Sequence, residues 1–179
     1  MLHYFQSQNP GHPQGCGPFA IAMAANLFNR RSESTNYRGA EVEAFLERKG
    51  WKIPGFGMPT WLFYRKSLRH FTQGRVEHKS QASIKDLERI LSNGALPIVS
   101  VAWQTDREII RDIRHARVGH YMLVVGFEPQ KERLYFLNPG LLLSEGSACL
   151  YSMAYQEYDK VWNGVSNLFI QPGSLWTVS

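Results

Sequence analysis

The stretch Gln14-Gly15-Cys16-Gly17-Pro18-Phe19-Ala20 sets a cysteine between two glycines, directly ahead of an apolar run that continues to Phe28. The glycines permit a tight turn. Pro18 suits a first helical turn, where its missing N–H has no intrahelical partner to lose. Ala20, Ile21, Met23, Ala24, Ala25, Leu27 and Phe28 then leave almost no polar face, so the stretch reads as a central, buried helix. Asn29-Arg30-Arg31-Ser32 returns the chain to solvent. A thiol at the start of this helix sits at the positive end of the helix dipole, which favours the thiolate. The rest of the chain is therefore searched for groups that work with a nucleophilic sulfur.

Working outward, residues 1–15 carry Gln6, Gln8, Asn9, Pro10, Gly11, Pro13 and Gly15 and read as an extended loop. A second helix is expected over Ala40 to Lys49, with Val42, Phe45 and Leu46 at helical spacing and Gly50 as its stop. After the turn-rich Pro54 to Thr60, the residues Trp61, Leu62, Tyr64, Leu68 and Phe71 fit a third helix. A fourth follows Ser83, which forms a capping box with Asp86, and ends at Gly94. The periodicity then changes. Leu96 to Trp103, His120 to Phe127 and Arg133 to Leu137 are strand-like, and the last two form an antiparallel hairpin about Glu128 to Lys131. A late helix through Tyr155, Tyr158 and Trp162 and a closing strand from Val165 to Ile170 complete the reading. Helices first and strands afterwards is an α+β pattern, with N-terminal helices packed on a C-terminal antiparallel sheet.

The length of 179 residues suits one domain spanning 1–179, and no repeat, low-complexity tract or linker divides it. The formal net charge of +5 is dispersed, and no nucleic-acid module is visible. Arg107, Arg111, Arg114 and Arg117 would cluster on a helix, but Asp106, Glu108 and Asp112 interleave with them, as on a solvated surface. There is no apolar run long enough to span a bilayer, and Met1 to Gln6 lacks the features of a secretion signal. A cytoplasmic protein is the default expectation, and export without a cleaved signal would look the same. Of the two cysteines, Cys149 lies in the strand-like Gly146 to Tyr151 and reads as a small buried hydrophobe, with a disulfide to Cys16 as the less favoured alternative. The histidines and cysteines show no ligand spacing, so neither a metal nor another cofactor is implied.

A nucleophilic thiol needs a base, and the base needs a group that holds its ring. Of six histidines, His3, His12, His70, His78 and His115 stand in polar or loop settings. His120 follows Gly119 and opens the most hydrophobic strand, which would hold its imidazole rigidly. Asn138 ends the next strand, in Phe136-Leu137-Asn138-Pro139-Gly140. Across the expected hairpin, His120 and Asn138 become neighbours.

The order Cys, His, Asn resembles the papain-like superfamily, and more narrowly the C39-like cysteine peptidases, which include the leader-cleaving domains of bacteriocin exporters. The residues that carry this are Cys16-Gly17-Pro18 with its apolar helix, Gly119-His120-Tyr121 with Val124-Val125-Gly126-Phe127, and Asn138-Pro139-Gly140. Support comes from Ile84 to Pro97 and from Tyr158 with Trp162. The resemblance implies a papain-like fold and a thiol peptidase acting on a peptide or protein, with Cys16 as nucleophile, His120 as base and Asn138 as orienter. Where the family usually has Asp-Pro, this chain has Asn138-Pro139; papain itself uses asparagine, which keeps orientation and removes a negative charge. The family's oxyanion hole combines the cysteine amide with an upstream glutamine. Pro10-Gly11-His12-Pro13 disturbs the usual spacing, which makes Gln8 the first choice and Gln6, Asn9 and Gln14 alternatives. The same residues would also serve an acyltransferase or deamidase, and a non-catalytic binding module could retain the fold. Exporter peptidases are fused to membrane segments, so a stand-alone relative is expected.

Overall fold

The computed structural model describes residues 4–8, 11–31, 35–54, 58, 64–103, 118–141, 150–163 and 172–179. Its helices are α1 (Cys16–Phe28), α2 (Gly39–Arg48), α3 (Tyr64–Thr72), α4 (Ile84–Ser92) and α5 (Tyr155–Trp162). Its strands are β1 (Val76–Lys79), β2 (Leu96–Trp103), β3 (Val118–Glu128), β4 (Arg133–Leu137), β5 (Leu150–Ala154) and β6 (Leu175–Val178). They form a six-stranded sheet in the order β1-β6-β2-β3-β4-β5, with every neighbouring pair antiparallel.

Helix α1 forms where the apolar run places it, and Cys16 through Asn26 are all buried. Its one deeply buried polar side chain, Asn26, is satisfied by the backbone of Tyr37: Nδ2 donates to the carbonyl at 2.9 Å and Oδ1 accepts from the amide at 2.8 Å. That reciprocal pair ties the approach to α2 onto α1. At the start of α2 a Cβ on Gly39 would lie 2.4 Å from the Phe19 ring, so only glycine allows the two helices to come this close. Ser83 caps α4 through the expected box with Asp86, and Gly50 and Gly94 take positive φ after α2 and α4.

The sheet is covered on both faces. One core joins Ala20, Ile21, Met23, Val42, Leu46, Leu68 and Phe71 from α1 to α3 with Ile98, Tyr121, Leu123 and Leu137 of the sheet. The other joins Leu87, Tyr158, Val161 and Trp162 from α4 and α5 with Val99, Val101, Met122, Val124, Leu134 and Phe136. Alternate residues of β3 thus serve opposite cores, as the two-residue strand period requires. The alternation changes phase at Val125, where β3 carries one more residue than β4 between Val124↔Phe136 and Gly126↔Tyr135. Beyond this bulge Phe127 joins the second core.

The third helix is described from Tyr64 onward; Trp61 and Leu62 lie outside the described residues, as do the Arg107–Arg117 cluster, Cys149 and the expected strand Val165 to Ile170. Among the described residues the closing strand is β6, inserted between β1 and β2. No helix among them is long and apolar enough to cross a membrane. Replacing Gly39 by alanine is expected to destabilise the protein by about 1–3 kcal/mol through overpacking against Phe19, read as a lower urea midpoint at unchanged slope.

Candidate active site

Strand β4 stops at Leu137, paired with Leu123, so β3 has no ladder partner on that side from Met122 back to Val118. The turn Asn138-Pro139-Gly140 fills this gap. Continuing the register by one residue would set Asn138 against Met122, so Asn138 meets His120 diagonally rather than directly opposite. Both side chains are buried, and His120 Nε2 lies 2.7 Å from Asn138 Oδ1.

The turn fixes which end of the Asn138 amide faces the ring. The Gly140 N–H donates to Asn138 Oδ1 at 2.9 Å, and only an oxygen can accept that bond, so the same oxygen faces His120. An acceptor there requires the proton on Nε2, which leaves the lone pair of the neutral ring on Nδ1. Asn138 Nδ2 is buried and, among the described residues, donates to no group. A Cβ on Gly140 would stand 3.2 Å from both Asn138 Oδ1 and His120 Cε1, so glycine also makes room for the pair.

Cys16 is a free, buried thiol at the first position of α1, behind an N-cap, Gly15, that supplies no side-chain acceptor. The sulfur is met by the backbone amides of Tyr121, Gly17 and Cys16 itself. Tyr121 directly follows His120 in β3, so the thiol of α1 meets that strand at the residue next to the imidazole's own. The ordering of charge differs from the expectation of a stabilised thiolate. Burial raises the Cys16 pKa above its ordinary value, outweighing the lowering by those three amides and by the Lys52 charge. Burial likewise lowers His120 to about 4, against the opposing bond to Asn138. Desolvation of two enclosed groups exceeds the pull of a helix terminus, and the resting site near neutral pH holds a neutral thiol and a neutral imidazole.

The candidates for the upstream glutamine separate clearly. Gln6 is committed elsewhere: its Nε2 donates to Tyr37 O at 2.6 Å and its Oε1 accepts from the Gly39 amide at 2.5 Å. Gln8 is buried, and its backbone N–H donates to Pro139 O at 2.8 Å, which seats it against the Asn138 turn. Among the described residues its Nε2 reaches only Pro13 O, at 3.4 Å, and its Oε1 has no partner. Gln14 is half-buried and lines a separate cavity with His12, Glu43, Glu47 and Lys52. Asn9 lies outside the described residues.

Sequence reasoning missed several neighbours of the thiol. Met58 packs on Gly17, and its carbonyl accepts from Tyr121 Oη at 3.0 Å. Tyr64 stacks on Tyr121 with ring centroids 4.4 Å apart. Lys52 is buried between Glu47, at 2.7 Å, and Glu43, at 3.0 Å. Burial opposes its charge, but these two carboxylates outweigh burial and raise its pKa. Its place in Trp51-Lys52-Ile53-Pro54 gives no sign of burial. Among the described residues no three or more His, Cys, Asp or Glu side chains are grouped to hold a metal ion.

The lowered His120 pKa carries a linkage to stability. Between its ordinary 6.5 and about 4 the unfolded chain binds a proton at this residue that the folded chain does not, so stability falls as pH falls through this window. The expected loss is on the order of 3 kcal/mol, measured as a urea unfolding midpoint that declines from pH 7 to pH 4 and declines less in His120→Gln.

Comparison with known proteins bears on the family and the fold. A search of curated proteins finds no match. Among solved structures, one described as a C39-like peptidase from Bacillus anthracis superposes with a TM-score of 0.67 at 11% identity, covering 98% of this chain and 93% of the other. At that identity the likeness speaks to the fold, and it is the same α+β arrangement of helices on an antiparallel sheet. The sequence itself matches the family described as "Peptidase_C39 like family" over residues 2–169. With nearly its whole length matched, the chain belongs to the C39-like peptidase family.

Proposed function

We propose that this chain, acting as one domain, is a thiol peptidase in which Cys16 is the nucleophile, His120 the base and Asn138 its orienter. Gln8 and the Cys16 amide form the oxyanion hole. The observation that carries the reading is the 2.7 Å contact between His120 Nε2 and Asn138 Oδ1, with the orientation of that amide set by Gly140. Membership of a peptidase family supports the reaction class.

The chemistry follows from the neutral resting pair. Cys16 Sγ attacks the scissile carbonyl carbon while its proton passes to Nδ1, the ring nitrogen left with the lone pair. Negative charge collects on the carbonyl oxygen, where the Cys16 N–H and Gln8 Nε2 donate. Gln8 Nε2 can turn to this task because its present bond, at 3.4 Å, is weak. Collapse breaks the C–N bond, and the imidazolium returns its proton to the leaving amine. Water, activated by the same nitrogen, then releases the acyl group from sulfur. Asn138 supplies no charge to the imidazolium, so the protonated ring is short-lived in this buried setting.

One observation favours a second reading, in which the fold is kept as a binding module without catalysis: burial holds the thiol above its ordinary pKa. Mass spectrometry of a peptide mixture separates the possibilities. The peptidase yields new termini; a deamidase or acyltransferase leaves chain lengths intact with changed side-chain or acceptor masses; a binding module changes nothing.

Cys16→Ala is expected to abolish cleavage with the fold retained, and His120→Ala to lower kcat/KM by about 100- to 10,000-fold. Because the base must be unprotonated, kcat/KM should rise with pH along an acid limb centred near pH 4 and level off toward neutrality. A limb near the ordinary histidine value would show that burial does not depress the base, and its loss in His120→Ala or His120→Gln would be needed to assign it.

A further inference from the structure

Seven residues separate Gln8 from Cys16, and their path decides whether the two can serve one carbonyl oxygen. We propose that His12 is a positioning residue for the site: held by Glu43 of α2 with Lys52 behind it, it fixes the loop between Gln8 and Cys16. This inference rests on the proposed function, and it concerns a residue that the sequence places in a loop.

His12 is tied to both ends of the loop through its backbone. Its N–H donates to Gln8 O at 3.0 Å, and its carbonyl accepts from Gly15 N at 2.9 Å. A Cβ on Gly15, the residue before the nucleophile, would lie 3.0 Å from His12 Cβ. Its ring rests on Phe19 of α1 with centroids 5.3 Å apart, while Nδ1 makes a short contact with Glu43 Oε2.

Glu43 is buried, and a carboxylate in that position requires partners for both oxygens. Lys52 Nζ meets Oε1 at 3.0 Å and His12 meets Oε2. Lys52 is in turn held by Glu47 at 2.7 Å. The anchor is therefore built on a buried carboxylate and a buried ammonium, Glu43 and Lys52. Lys52 also contributes to lowering the Cys16 pKa, which links the cluster electrostatically to the thiol.

The test uses His12→Phe, which keeps a ring against Phe19 and removes Nδ1, and His12→Asn, whose amide nitrogen occupies nearly the place of Nδ1. Hydrogen exchange of the segment 11–16 should be at least tenfold faster in His12→Phe and near the parent rate in His12→Asn, with α4 and α5 unchanged in both. On a cleaved peptide, kcat should fall about tenfold in His12→Phe at nearly constant KM and recover in His12→Asn. Exchange at the parent rate in His12→Phe overturns the anchor. Faster exchange with unchanged kcat reduces His12 to a structural contact and overturns the positioning role. Global unfolding of His12→Phe would appear as faster exchange in α4 and α5, and Glu43→Gln, which removes charge and keeps an acceptor, then decides by the same two readouts. If the parent cleaves no peptide, the proposed function fails by itself, and the iodoacetamide rate of Cys16 replaces kcat: a several-fold increase in His12→Phe supports the anchor, and an unchanged rate overturns it.

Discussion

A helix without a polar face has to be enclosed, and the burial of α1 is the constraint from which the other arrangements follow. Helices α2 and α3 cover it from one side and the sheet from the other, and close approach is bought with Gly39 under the Phe19 ring. The single polar group along its buried length, Asn26, needs the Tyr37 backbone opposite it. Its first residue, Cys16, therefore enters the site already withdrawn from water.

That withdrawal sets the chemistry. Backbone amides around the sulfur and a helix N-terminus favour the thiolate, yet desolvation raises the thiol pKa and lowers that of His120. With the thiol raised and the imidazole lowered, both groups rest neutral rather than as a standing ion pair. Asparagine at position 138 fits this balance: it fixes the ring and its tautomer without placing another charge in the enclosure.

Much of this was legible in the sequence because local chemistry and long-range pattern agreed. Gly17-Pro18 with the apolar run identified α1, Ser83 with Asp86 identified the start of α4, and the alternation in β3 and β4 identified the hairpin that unites His120 with Asn138. Strands β1 and β6 were not legible. Each has four residues; β1 buries only Val76, and β6 follows the tight turn at Pro172-Gly173, so neither offers enough period to read. The site's tertiary supports were hidden for a different reason. Glu43 lies 31 residues from His12, and the tight seat of Gly140 on His120 depends on β4 ending early. Spacing along the chain carries no trace of such contacts.

The bulge at Val125 divides β3 into two segments of opposite phase. From Val118 to Val124 the strand is locked by β2 and the two cores, whereas from Gly126 onward it is paired with β4 on its way to the Pro129–Lys131 turn. The bulge acts as a joint between a stem held by two sheet neighbours and a tip paired with β4 alone. Changes of length or sequence at the tip can be absorbed there as a local shift in pairing, without turning His120 to the wrong side of the sheet. The hairpin can thus vary at its far end while the end that carries the imidazole keeps its aim.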